Sequence, residues 1–256
     1  MNTKKMLMTH IVAGYPSLKE SEKIAEIMIE AGVDFLEIQI PFSDPVADGN
    51  VIMKANQVAI ERGVKVEDCF RLMKKLKAGK TKLLFMTYFN ILHHRGVEKF
   101  CKKAKECGAY GLIVPDMPID EEKQEHYLKM CGKYGLKAIQ VISPLTPARR
   151  LEMIAKKARG FVYCVSRYGT TGTRSELNPK LNGYLKKVKK HIKLPLAVGF
   201  GISKKEHVEA VWKHAEIAVV GSAIIQIINK STRQNLPSAL KNFLKSLIAR
   251  EPKSRR

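Results

Sequence analysis

"FLEIQIPFSDPVADGN", Phe35–Asn50, decides how the chain is read. Its first part, Phe35–Ile40, is a short apolar run interrupted by Glu37 and Gln39. The rest is a breaker-rich loop carrying Asp44, Asp48, two prolines after Ile40 and Gly49. A run of this length, bounded by turn formers, predicts a strand of a parallel sheet covered on both faces. Side chains alternate along a strand, so Leu36, Ile38 and Ile40 share one face and Glu37 and Gln39 the other. A carboxylate on a covered face is costly unless it is paired or has work to do.

The pattern recurs along the chain. Candidate strands run over Met6–Ala13, Phe35–Ile40, Lys82–Tyr88, Gly111–Asp116, Lys137–Ser143, Gly160–Ser166, Leu196–Gly201 and Ile217–Ser222. Amphipathic helical segments lie between them. Ser17 reads as an N-cap and Gly32 as the stop of the first. Ser203 with Glu206 three residues on reads as a capping box, and Thr146 as a cap with Pro147 in the first turn. Regular alternation with eight strands predicts an α/β fold, a single (β/α)8 TIM barrel over residues 1–256. The alternative is an open doubly wound sheet, but no G-x-G-x-x-G follows the first strand. The sequence begins almost at the first strand, and residues 250–256 read as a frayed basic tail.

Composition narrows the function. At 45% hydrophobic and 27% charged residues the chain reads as an ordinary globular protein. No apolar run approaches the roughly 20 residues of a membrane span, and the N-terminal run is broken by Thr9 and His10, unlike a signal peptide. A cytoplasmic location is expected. The five cysteines are odd in number, far apart and without a C-x-x-C pair, as in a reduced protein that uses them as small hydrophobes. The histidines show no metal-ligand spacing. The net charge of +22 raises nucleic acid as a partner. The lysines, however, are spread over many helical segments with no aromatic-interleaved stripe, so solvated helix faces are the expected reading, with neither nucleic acid nor membrane as partner.

In such barrels the chemistry gathers at the C-terminal ends of the strands. Glu37 would stand in the lumen, either as a general acid or base or paired with a lysine across the barrel. The stretch "YCVSRYGTTGTRSEL", Tyr163–Leu177, is rich in Gly, Ser and Thr and reads as a loop that closes over a site. "GFGIS", Gly199–Ser203, and "GSAII", Gly221–Ile225, place glycine amides after the last two strands, next to helix starts. Such amides bind phosphate, or else merely serve tight turns. A phosphorylated small molecule is the expected substrate.

Leu36–Gly49, "SRYGTTG" (Ser166–Gly172), "GFGIS" and "GSAII", in this order, resemble the tryptophan synthase α subunit family, and the resemblance extends over nearly the whole chain from Thr9. It implies a barrel that cleaves indole-3-glycerol phosphate to indole and glyceraldehyde 3-phosphate by a retro-aldol reaction. It also implies an α2β2 heterotetramer in which the β subunit, not this chain, carries pyridoxal phosphate. By the same resemblance Glu37 is the proton-transfer residue and Asp48 stabilises charge at the indole N–H. Gly172, Gly201, Gly221 and Ser222 match phosphate-binding positions. Thr171 matches a loop residue that orders Asp48, and Tyr163, Phe200, Tyr88 and Ile52 match the indole pocket. Asp44 matches the loop facing the β subunit. The chain departs from the family's usual residues at Gln39 (usually Gly), Asn50 (Pro), Met53 (Gln), Tyr168 (Ala), His10 (an aromatic) and Tyr15 (Asp), and lacks the usual extra N-terminal helix. Gln39, on the same strand face as Glu37, would either hydrogen-bond Glu37 or fill indole space. Two functions follow: an active lyase, or an α subunit of impaired chemistry retained as an allosteric activator of the β subunit. Another phosphate-handling barrel would fit the glycine loops but not Leu36–Gly49.

Overall fold

The computed structural model describes residues 4–166 and 178–248. The strands β1 (Met6–Val12), β2 (Phe35–Gln39), β3 (Lys82–Met86), β4 (Gly111–Ile113), β5 (Lys137–Ile142), β6 (Val162–Val165), β7 (Leu196–Gly199) and β8 (Ile217–Val220) form a closed barrel in sequence order. All pairs are parallel, and β8 closes on β1. Each strand leaves the ladder slightly before the apolar pattern ends, because its last residues turn into the loops at the C-terminal mouth.

Alternation sorts the side chains into two cores. Outward residues such as Leu7, Ile11, Leu36, Ile38, Phe85 and Leu112 join the large core beneath the helices. Inward residues Met8, Phe35, Leu84, Ile139, Phe161 and Ile217 fill the lumen. The lumen's lower end is closed by aromatic rings. Phe35 meets Phe161 edge-on at 5.1 Å and Tyr110 at 5.9 Å between ring centroids. The Lys82 ammonium stands over both Phe35 and Tyr110, 5.4 and 4.8 Å from their centroids. A cation over a ring face is attracted by the ring's quadrupole while the aliphatic stem covers apolar surface.

The first helix, Leu18–Glu30, starts as expected: Ser17 Oγ accepts from the Glu20 amide, and after the cap Ala31 the chain turns at Gly32 with φ +80°. Two expected caps are displaced. The helix Ala148–Lys157 is capped by Pro147, because Thr146 Oγ1 instead accepts the Ser143 amide at 3.0 Å across a turn. The helix Lys205–Trp212 is capped by Lys204, and no Ser203–Glu206 box forms; the Ser203 amide donates to His207 Nδ1 at 3.4 Å.

Candidate active site

The first turns after the strands surround a cavity of about 970 Å³ at the C-terminal mouth. Its floor is the uppermost inward layer of the barrel: His10, Glu37, Met86, Ile113, Val141, Tyr163 and Val219. This size is at the upper end of small-ligand pockets. Among the described residues no lysine or arginine lines it.

Glu37 is 4% exposed, so the barrel holds its carboxylate out of water. Its partner across the β1–β2 ladder is His10, whose Nδ1 lies 3.2 Å from Glu37 Oε1. Glu37 Oε2 and His10 Nε2 are buried with no hydrogen-bond partner among the described residues. Burial disfavours the charged imidazole, yet the Glu37 carboxylate and its hydrogen bond, with Asp48 behind, outweigh it and raise the His10 pKa above its ordinary value.

Asp48 comes from the loop after β2 and is half-buried. Its Oδ2 accepts from Gln39 Nε2 at 2.6 Å and from the Tyr88 hydroxyl at 3.1 Å. Burial pushes the Asp48 carboxyl up, against the bond from Gln39, the charge of His10 and the bond from Tyr88, which favour the carboxylate. Two carboxylates thus share one cavity with different partners: Glu37 on an imidazole, Asp48 on two neutral donors.

The loop is anchored from below. Tyr88 is fully buried, stacks on Phe42 at 5.1 Å, and its hydroxyl also accepts from the Ala47 amide at 3.1 Å. Asn56 is 1% exposed. Its Oδ1 accepts from the Phe42 amide and its Nδ2 donates to the Ile52 carbonyl. Tyr88 therefore reaches the site through Asp48 and the loop, and packs in the inner cluster with Met86 and Ile113, which line the cavity.

Tyr163, Ile52 and Phe200 do line the cavity, as do Gly201, Gly221 and Ser222. Gly201 has φ +83°, a left-handed turn that favours glycine and carries the chain away from β7. Gly221 is the N-cap of the helix Ser222–Lys230. The first amides of such a helix have no intrahelical acceptor and point toward the cavity end of the dipole. Asp44 is exposed, off the cavity, beside Ser43 Oγ at 2.7 Å. Thr171, Gly172, Tyr168 and the tail 250–256 lie outside the described residues.

A buried Glu at the head of β2, an Asp in the next loop and glycine amides after β7 and β8 form one pocket, and the comparisons match that arrangement. The family profile described as "Tryptophan synthase alpha chain" matches residues 1–250. The chain belongs to the tryptophan synthase alpha chain family. A tryptophan synthase alpha chain from Syntrophotalea carbinolica is 42% identical over 243 residues, 94% of this chain and 94% of the relative. That of Methanocaldococcus jannaschii is 44% identical over 234 residues, 91% of this chain and 82% of the relative. Among solved structures, a mutant tryptophan synthase alpha-subunit from Pyrococcus furiosus superposes with a TM-score of 0.85 at 32% identity, covering 96% of this chain and 99% of that one. Among the described residues no helix is long and apolar enough to cross a membrane.

Two residues of this alpha chain's site, His10 and Gln39, carry contacts that their status as departures from the family does not convey. A single strand pattern shows which face each is on; only the register across β1, β2 and the loop shows what each one touches. Asn56 was not legible in the sequence, since the Phe42 amide that it holds belongs to another segment.

Proposed function

We propose that this chain is the lyase subunit of tryptophan synthase and cleaves indole-3-glycerol phosphate to indole and glyceraldehyde 3-phosphate. The observation that carries the reading is the pair of carboxylates in one cavity, one of them with a buried, unpartnered oxygen. In the reaction the indole ring carbon bearing the side chain takes a proton, and positive charge develops at the ring nitrogen. The adjacent side-chain hydroxyl then loses its proton as the carbon–carbon bond breaks. The bonding pair returns to the ring, and the hydroxyl carbon becomes the aldehyde. One proton is delivered and one removed, so a single group placed between the two atoms serves both steps.

Glu37 is the proposed exchanger, through Oε2. Asp48, whose ionised form its donors favour against burial, is proposed to face the ring nitrogen and stabilise the charge that develops there. Tyr163, Ile52 and Phe200 supply apolar wall for the ring. Gly201, Gly221 and Ser222, with Gly172 from the segment outside the described residues, are the proposed phosphate cradle, where helix-terminal amides suit an anion. Thr171 is proposed to meet Asp48 on closure. The proposed partner is a β subunit that carries the pyridoxal phosphate, in an α2β2 assembly in the cytoplasm. Asp44 and its neighbour Val46, 82% exposed, lie on the rim that would face it.

The test is cleavage of indole-3-glycerol phosphate by the purified chain with a β subunit, alongside activation of that β subunit supplied with free indole and serine. Glu37→Gln is expected to lower kcat by about 10²–10⁴-fold, the usual contribution of a general acid–base. Asp48→Asn is expected to lower it by about 10²-fold or more. Cleavage that survives Glu37→Gln overturns the assignment of Glu37. No cleavage by the native chain, with β activation intact, points to the activator role instead.

A further inference from the structure

The group that faces Glu37 is itself titratable, buried and incompletely satisfied. His10 is 4% exposed on the inward face of β1, in register with Glu37. The groups around it are Glu37 and Gln39 from β2, Asp48 from the following loop, and Tyr163 across the cavity; β8 and the turn after it present Val219 and Gly221, neither of them titratable. A Cβ added at Gly221 would lie 3.6 Å from His10 Cβ, so the imidazole stands between the Glu37 carboxylate and the head of the helix Ser222–Lys230. Since no lysine or arginine among the described residues lines this cavity, His10 is the one described side chain there that can carry positive charge opposite two carboxylates. An imidazole against a buried carboxylate is held in one tautomer and one orientation by that contact.

We propose that His10 is the positioning residue of Glu37: its Nδ1–H fixes Oε1, so that Oε2 is presented to the substrate in one orientation, and its charge offsets the carboxylate's inside the barrel. This inference rests on reading Glu37 as the proton-transfer group. A carboxylate free to rotate in a cavity this wide would sample unproductive positions, and a misplacement of about 1 Å can cost roughly 100-fold in rate. The elevated titration of His10 accords with the pair.

Two measurements on the intact chain test it. The first is an NMR titration of the histidine ring protons, with His10 assigned from the signal missing in His10→Gln. His10 is expected to titrate above 6.5 in the native chain and lower in Glu37→Gln, because only the smaller effect of Asp48 then opposes burial. The second is the pH dependence of cleavage. His10→Phe, which keeps a ring and loses the donor, is expected to lower kcat about 10–100-fold with KM within about 3-fold. His10→Gln, which keeps a donor, should recover most of kcat near the optimum and lose the alkaline limb set by deprotonation of His10. An unchanged His10 titration in Glu37→Gln overturns the pair. So does His10→Phe cleavage with native kcat and pH profile, which leaves the lyase reading in place. A chain that cleaves nothing, while its His10 titration still drops in Glu37→Gln, overturns the lyase reading and leaves the pair.

Discussion

Gln39 shows how one side chain sets the chemistry of another. It stands on the same inward face as Glu37, is fully buried, and gives its amide to Asp48 at 2.6 Å. Its own Oε1 has no partner among the described residues, so the arrangement leaves a buried acceptor unpaired to hold a carboxylate. Of the two roles open to Gln39 in the sequence, hydrogen-bonding Glu37 or filling indole space, it takes neither as expected: its amide goes to Asp48, because the loop after β2 folds back over the inward face of the strand. The sign of its effect is plain. Burial raises the Asp48 pKa, and the Gln39 bond opposes that by favouring the ionised form. A stabiliser of positive charge must be ionised, so activity is present above the Asp48 pKa and is lost as pH falls through it. Gln39→Met keeps the volume and removes the donor. The acid limb of kcat should then move to higher pH, and kcat at the optimum should fall about 10-fold, as for loss of a hydrogen bond to a charged group. A profile identical to that of the native chain would show that Tyr88 alone holds Asp48. Glu37 stood out in one dimension as a charge in an apolar run, whereas Asp48, in a loop of turn formers, was singled out by the family resemblance alone. The contacts of Gln39 and His10 were not legible, because their partners are fixed by strand register and by the path of a loop.

At the scale of elements, the strands were legible because near-continuous apolar runs have few alternatives once both faces are covered. The caps were less so. Thr146 and Ser203 have the right residue types, but a nearby turn amide takes the Thr146 hydroxyl and the chain enters the later helix one residue further on. The closed lower end of the lumen was not legible at all, since Phe35, Tyr110 and Phe161 come from three strand entrances and meet only when the barrel closes. Their packing predicts a difference between two truncations. Phe161 is 1% exposed and inside the lumen, so Phe161→Ala should cost about 3–5 kcal/mol in urea unfolding. Ser17→Ala, which removes one cap at the surface, should cost about 1 kcal/mol. Equal and small losses would mean that the lower lumen collapses around the missing ring at little cost.

For the molecule as a whole, the charge is the feature that neither the fold nor the site explains. Lys and Arg number 46 against 24 Asp and Glu, so even complete pairing would leave a surplus of 22 positive charges. The ion pairs present are mostly at the surface, such as Lys4–Asp34, Arg150–Asp120 and Arg233–Glu20. Pairs of that kind contribute about 0–1 kcal/mol each and weaken as salt is added. The unpaired lysines repel one another, and that repulsion also weakens with salt. It is strongest where they crowd, as Lys186, Lys190, Lys193 and Lys213 do around a cleft next to the C-terminal end of the helix Pro179–His191. Salt therefore acts in both directions, and the count decides between them. Twenty-two excess charges within one barrel interact over a Debye length of about 30 Å at 0.01 M salt, which falls to about 10 Å at 0.1 M. At low salt nearly every lysine senses the others, whereas an ion pair depends on contact. Self-repulsion of this kind destabilises the compact state, since the unfolded chain can spread its charges. Sodium chloride added from about 0.01 to 0.3 M should thus raise the urea midpoint near neutral pH. Urea is the suitable denaturant because guanidinium is itself a salt. A midpoint that falls over the same range would mean that the ion pairs, and not the surplus, dominate the electrostatics of this protein.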